Sequence, residues 1–218
     1  MRLDDYPEKD GKQVWLTVDE LEMLIDEAET PQQRVAIMLG GKCGLRREEI
    51  VSVTPNDFEY APDGFVRIWE DYAKRSKYRE APAPDELEHI IDTLAYDQEP
   101  NEPVVGVVGT TVYRWVRRAA ESLQAETNDR GWSFLDVHDL RRSWGGHLLW
   151  NCGVSPMVVM EFGGWESWQT FYEHYMGEIT PEARDRERSK IDYMGGDPDD
   201  ELIFEPRTAA ARQTYSQN

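Results

Sequence analysis

Two of the chain's four histidines and a pair of arginines stand together in the stretch His138-Asp139-Leu140-Arg141-Arg142-Ser143-Trp144-Gly145-Gly146-His147-Leu148-Leu149. A helix that starts at Asp139 or a neighbour projects His138 and Arg141, three apart, from one side of its first turn. A cationic fork beside an imidazole, with the free N–H groups and dipole of a helix N-terminus, can hold a phosphate. The plain alternative is a capping histidine and a solvated arginine, because H-x-x-R is a common accident. A second basic group, Arg46-Arg47, is followed by Glu49 one helical turn from Arg46. A third, Lys74-Arg75-Ser76-Lys77-Tyr78-Arg79, concentrates bases in one short segment, and Arg114, Arg117 and Arg118 form an i, i+3, i+4 stripe.

The elements that must position these groups follow from local signals. Residues 1–14 are polar and read as a flexible N-terminal arm. Thr17-Val18-Asp19-Glu20 is a capping box that opens a helix to about Ala28. Thr30-Pro31 starts a second helix through Met38, which Gly40 and Gly41 end or loosen. A short helix follows Gly44, with Ile50 and Val53 turned inward and Pro55 closing it. Pro62-Asp63-Gly64 signals a turn, Phe65–Trp69 a strand and Arg79–Pro84 an edge-like second strand, which puts the basic cluster at a hairpin tip. Further helices are predicted over Asp85–Ala95, over Thr110–Ala125, through the His138 stretch to Asn151-Cys152-Gly153, over Ser155–Phe162, and over the aromatic Trp168–Met176. The fold class is therefore mainly α with one small antiparallel β-sheet.

Composition adds bounds. The 43 acidic residues outnumber 24 basic ones, and only six of the latter are lysine. Such an excess, with arginine preferred, suits a salt-saturated cytoplasm, where the acidic surface stays hydrated and its self-repulsion is screened. It predicts a halophilic, archaeal or archaeal-virus source. No apolar run reaches membrane-spanning length and no signal-peptide pattern is present, so a cytoplasmic protein with no membrane partner is expected. Cys43 and Cys152 read as reduced, mostly buried thiols, and neither has metal-ligand spacing.

Three separated segments resemble the tyrosine recombinase (phage integrase) family. Gly44-Leu45-Arg46-x-x-Glu49-Ile50-x-x-Val53-x-x-x-Asp57-Phe58 resembles its first arginine box. His138-x-Leu140-Arg141 followed by Gly146-His147-Leu148 resembles its second, and Gly164-Trp165 ahead of a tyrosine-containing helix resembles its third. Order and spacing agree from Trp15 to about Pro181, which places a catalytic domain at 15–190 and an acidic tail at 191–218.

The resemblance implies the catalytic-domain fold of DNA breaking-rejoining enzymes and strand exchange on double-stranded DNA through a 3′-phosphotyrosine, without metal or nucleotide cofactor. Arg46 and Arg141 would clamp the phosphate, since fixed cations aimed at the non-bridging oxygens supply most of the rate. His138 would exchange a proton or donate to the phosphate. Glu49 would orient the clamp, or else be a solvated helix charge. Trp165 stands where many members have histidine; its indole can donate but cannot shuttle a proton, and core packing is the alternative. The lysine that protonates the leaving oxygen would be Lys74, in the turn between strands, ahead of Lys77. Members place the nucleophile nine residues after the Trp165 position; here that lands on His174, with Tyr172 at seven and Tyr175 at ten. Tyr175 is favoured, with Tyr172 in reserve. Phosphate contacts are expected from Arg47, Arg75, Lys77, Arg114, Arg117, Arg118 and Arg142.

The N-terminal helical domain that closes a clamp round the duplex in most members is expected to be absent. A homo-oligomer, a tetramer on paired sites, is implied, with Asp192–Glu205 as a possible docking segment in a neighbour. Two other readings share much of the pattern: a DNA-binding regulator that kept the fold and lost the chemistry, and a type IB topoisomerase, whose long linker is missing here.

Overall fold

Helix α2 (Pro31–Gly41) is apolar on nearly every side, and it forms the centre around which the other helices pack. Val35, Ala36, Ile37, Met38 and Leu39 are all buried, and burial of each larger one contributes about 1.5–3 kcal/mol. Against it lie α1 (Val18–Asp26), α3 (Arg47–Ile50), α5 (Asp85–Ala95), α6 (Gly109–Thr127) and α7 (Val137–Trp150). The helix continues past Met38, where its end was expected. A Cβ at Gly40 would crowd Leu140 of α7, and one at Gly41 would collide with Leu21 of α1. The two glycines thus bring helices together rather than ending one.

The computed structural model describes residues 1–6, 10–72, 77–96, 99–173 and 181–191. The chain forms two units, Met1–Gly177 and Glu178–Asn218. In the second, the described element is a charged helix, α10 (Pro181–Ser189). The docking segment Asp192–Glu205 lies outside the described residues.

In the first unit local signals and elements agree closely. The Thr17 hydroxyl accepts from Glu20 N, and the Glu20 carboxylate accepts from Thr17 N, the reciprocal capping box read from the sequence. In α6 the buried residues Val112, Val116, Ala119, Ala120 and Leu123 recur at helical spacing, while Arg114 and Arg118 face outward. The strands β3 (Phe65–Ile68) and β4 (Arg79–Pro82) pair antiparallel with Ile68 opposite Arg79. A one-turn helix, α4 (Asn56–Glu59), follows Pro55, which was expected only to close α3. After α7 come α8 (Pro156–Gly163) and α9 (Trp168–Phe171).

Three expectations need correction. The flexible arm expected at residues 1–14 carries regular structure instead. Strands β1 (Arg2–Asp5) and β2 (Lys12–Trp15) form a second two-stranded sheet. This hairpin is stitched to α7: Leu16 N donates to Ser143 Oγ at 2.8 Å and Val14 N to Asp139 Oδ1 at 3.3 Å. Arg142, expected on phosphate, is buried under this hairpin, ion-paired with Asp139 and packed against the Tyr6 and Trp15 rings. Cys43 is buried, and burial pushes its thiol pKa up, but Cys152 is exposed.

Candidate active site

Three loops bring the chemistry-bearing residues together, and each is shaped by its own sequence. Gly44 adopts φ +70°, and any Cβ there would strike the Trp144 ring, so only glycine lets the chain turn from α2 into α3 at this point. Arg46 follows as the residue that precedes α3. Gly164 at φ +65° ends α8 and redirects the chain into Trp165. His138 and Arg141 sit in the first turn or so of α7, whose start is capped by Asp136.

That cap changes the electrostatics expected from the sequence. The Asp136 carboxylate already accepts from His138 N at 3.1 Å, and Asp139 closes the box by accepting from Asp136 N at 2.9 Å. The helix N-terminus is thus occupied by its own carboxylate, and attraction for an anion must come from side-chain cations.

Those cations converge on one turn. Arg79 Nε donates to Phe162 O at 2.9 Å, Arg141 Nη2 to Gly163 O at 2.5 Å, and Arg46 Nη2 to Gly164 O at 3.1 Å. Three arginines from three elements therefore take three consecutive carbonyls at the C-terminus of α8, the negative end of that helix. Arg141 also donates from Nη1 to Gly44 O at 2.5 Å, so this single side chain binds both flanking loops. Its guanidinium lies 4.1 Å from the Trp165 ring centre, and Trp165 in turn stacks on Trp144 and packs against Phe171. Trp165 therefore both packs in the core and covers a guanidinium.

Glu49 sits beneath the arginines, fully buried. Its Oε1 accepts from Arg46 Nη1 at 2.8 Å and Arg79 Nη1 at 2.9 Å; its Oε2 accepts from Arg79 Nη2 at 2.7 Å and Arg46 N at 2.8 Å. Burial alone would raise its pKa, but the Arg79 hydrogen bonds and charge, then the charges of Arg46 and Arg141, hold it well below the carboxylate range. The solvated alternative for Glu49 is excluded by this burial.

A cleft of about 330 Å³ opens above, lined by Leu45, Arg46, Arg47, Glu48, Asp136, Val137 and His138. Arg46 is the clamp residue that reaches it, with its side chain 29% exposed, whereas Arg141 is 1% exposed. A larger cavity, about 570 Å³, lies beside Asp57. There the carboxylate accepts from Thr54 N, Thr54 Oγ1, Trp69 Nε1 and Tyr72 Oη, so this member of the first box serves to fasten the β3 segment.

His138 is exposed on the cleft, between Asp136 and the arginines of α7. Desolvation first, then the charges of Arg142 and Arg141, bring its pKa from 6.5 down to about 4. His138 is then a neutral proton acceptor at neutral pH in the free protein. The folded state binds fewer protons than the unfolded one between these values, so stability from the neutral ring is full above about 6.5 and lost as pH falls toward 4. An NMR titration of the free protein should place the His138 midpoint clearly below 6.5; a midpoint at or above that value would show the ring to be freely hydrated.

Other expected residues lie apart from this cluster. Arg117 turns to the fold, its Nη1 donating to Ser133 O at 2.9 Å and Leu135 O at 3.0 Å, a correction to its place among phosphate contacts. Arg47, Arg114, Arg118 and Lys77 are exposed. Arg47 pairs with Glu48, Arg118 with Glu29, and Lys77 with Glu166. Tyr172 is 59% exposed. Lys74, Arg75 and Tyr175 lie outside the described residues. The residue that sequence reasoning missed is Arg79. Its signal was present: alternation in β4 turns Arg79 and Ala81 to the buried side, and a buried arginine demands a carboxylate partner.

Residues 14–179 match the phage integrase family. The chain belongs to that family. Among solved structures, the family fold recurs in XerA recombinase, 16% identical over 81% of this chain and 64% of that one, with a TM-score of 0.63. It recurs in the Tn1549 transposon integrase bound to circular intermediate DNA, 13% identical over 84% of this chain and 67% of that one, TM-score 0.63. The catalytic domain of bacteriophage HP1 integrase is 18% identical over 82% of this chain and 95% of its own length, TM-score 0.56. At such identities the likeness is one of fold. The chain spans just under two thirds of XerA and nearly all of the HP1 catalytic domain. No curated protein matches it by sequence. Among the described residues no helix is long and apolar enough to cross a membrane.

Proposed function

We propose that this chain is the catalytic domain of a site-specific DNA recombinase or integrase, cleaving and rejoining strands through a 3′-phosphotyrosine. The observation that carries the reading is the meeting of Arg46 and His138, from the first and second segments of the family pattern, at one cleft, with the buried Arg141 of the second segment bonding the Gly44 and Gly163 carbonyls of the two flanking loops. A phosphodiester bound there gains a guanidinium on its non-bridging oxygens, where charge develops as the tyrosine oxygen attacks phosphorus. The bond to the 5′ oxygen breaks, and the energy of that linkage stays in the phosphotyrosine for religation. Neutral His138 is suited to take the tyrosine proton. Lys74 is proposed to protonate the leaving 5′ oxygen and Tyr175 to be the nucleophile.

The partner is double-stranded DNA, held by Arg47, Lys77, Arg114 and Arg118 through its phosphates, in a homo-oligomer on paired sites. The acidic composition supports a halophilic source, archaeal or viral. Covalent trapping on nicked suicide duplexes in concentrated KCl tests the reading, using wild type, Tyr175→Phe and Tyr172→Phe. A DNA-linked band lost only in Tyr175→Phe is the expected result. Loss only in Tyr172→Phe keeps the chemistry and moves the nucleophile. Binding without any adduct would make the protein a regulator that has kept the fold alone.

A further inference from the structure

Alternation in β4 turns Arg79 inward, where it is 6% exposed. It does not line the cleft, yet three of its donors are committed around the phosphate site. Two parallel bonds, 2.9 and 2.7 Å, take both oxygens of Glu49, and Nε takes Phe162 O at 2.9 Å. A carboxylate gripped on both oxygens by one guanidinium has a fixed plane. The other acceptor directions of Glu49 then point at Arg46, one at its Nη1 and one at its backbone N. The adjoining carbonyl, Gly164 O, holds Arg46 Nη2. Arg79 and Arg46 are thus referred to the same carboxylate and the same turn of α8, one wholly inside the protein and the other reaching the cleft.

We propose that Arg79 is a positioning residue: by fixing the Glu49 carboxylate against the C-terminal turn of α8, it aims the Arg46 guanidinium at the scissile phosphate. This role rests on the recombinase reading above. It needs the planar fork, because a lysine ammonium can neutralise Glu49 but cannot hold both oxygens and Phe162 O in one geometry.

The test is the single-turnover rate of covalent adduct formation on nicked duplexes at saturating DNA. It compares wild type, Arg79→Lys, Arg46→Lys and the double variant, with DNA affinity and thermal unfolding measured alongside. Arg79→Lys should fold, bind DNA within about twofold of wild type, and form adduct at least about tenfold more slowly, since small misplacements of a catalytic group are costly. In the Arg46→Lys background the same change should cost little more, because the effect passes through Arg46. A merely structural role would slow both backgrounds by the same factor, and that result overturns the proposal, as does Arg79→Lys reacting at the wild-type rate. If Arg79→Lys does not fold, Glu49→Asp, which retracts the carboxylate while keeping its charge, decides instead: it must slow adduct formation in the wild-type background and not in Arg46→Lys. Absence of adduct from wild type would overturn the recombinase reading and this role together; adduct with an indifferent position 79 would overturn this role alone.

Discussion

Replacing Arg46 with alanine is expected to lower the DNA cleavage rate by about 10²–10³-fold or more, the usual loss when one preorganised donor to a developing oxyanion is removed. The magnitude follows from where the side chain sits. Of the three arginines around Glu49, Arg79 and Arg141 are buried and engaged with backbone carbonyls, while Arg46 opens into the cleft. Stability should change little, because Glu49 keeps both of its bonds to Arg79 and is never left uncompensated. DNA affinity should fall only modestly, one phosphate contact among several. Arg46→Lys should recover part of the rate, since the charge returns without the fork that bonds two oxygens. Single-turnover cleavage of nicked duplexes reads these differences directly. An Arg46→Ala protein that cleaves at the wild-type rate would place the reacting phosphate somewhere other than this cleft.

The same arginines show which features a sequence discloses. Helical register and caps are local, so α1, α5 and α6 emerged with little error, and so did the β3–β4 hairpin. Arg46, Glu49, His138 and Arg141 were legible because glycine turns and short spacings accompany them, and these four do converge. What stayed hidden was set by partners distant in sequence. Arg141 and Arg142 are adjacent, yet one step along a helix rotates a side chain by about 100°, so one faces the α8 turn and its neighbour the N-terminal hairpin. That hairpin has too few apolar residues to announce itself. It is held by α7 through Asp139 and Ser143, more than a hundred residues away in sequence. Arg117 likewise belongs to a stripe that looks solvent-facing until the carbonyls of Ser133 and Leu135 arrive beside it. Charge alone could not sort these arginines, because several are buried.

Glu49→Gln should destabilise the protein by about 3–5 kcal/mol, the cost of leaving a buried ion network without one partner. The amide nearly matches the carboxylate in shape, so packing is retained and the loss isolates charge and hydrogen bonding. One of its two heads becomes a donor facing guanidinium donors, and Arg79, with a side chain 4% exposed, is left as a buried cation without its anion. The pH dependence gives an independent check. The folded-state pKa of Glu49 is depressed, since Arg79 and the neighbouring arginines outweigh the desolvation that opposes them. Its stabilisation is therefore fully present above its unfolded pKa of about 4.3 and is lost as pH falls below that value toward the folded one. Urea unfolding of wild type should show this acid loss, and Glu49→Gln should lack that part of the slope, so the two curves approach each other in acid. A gap of under about 1 kcal/mol at neutral pH would resemble a surface pair and would mean that water reaches the carboxylate. A large gap that stays constant into acid would assign the loss to packing instead of charge. The expected pattern, a large gap that closes on acidification, would make the ion network that aims Arg46 also one of the contacts that hold α3 and β4 against α8.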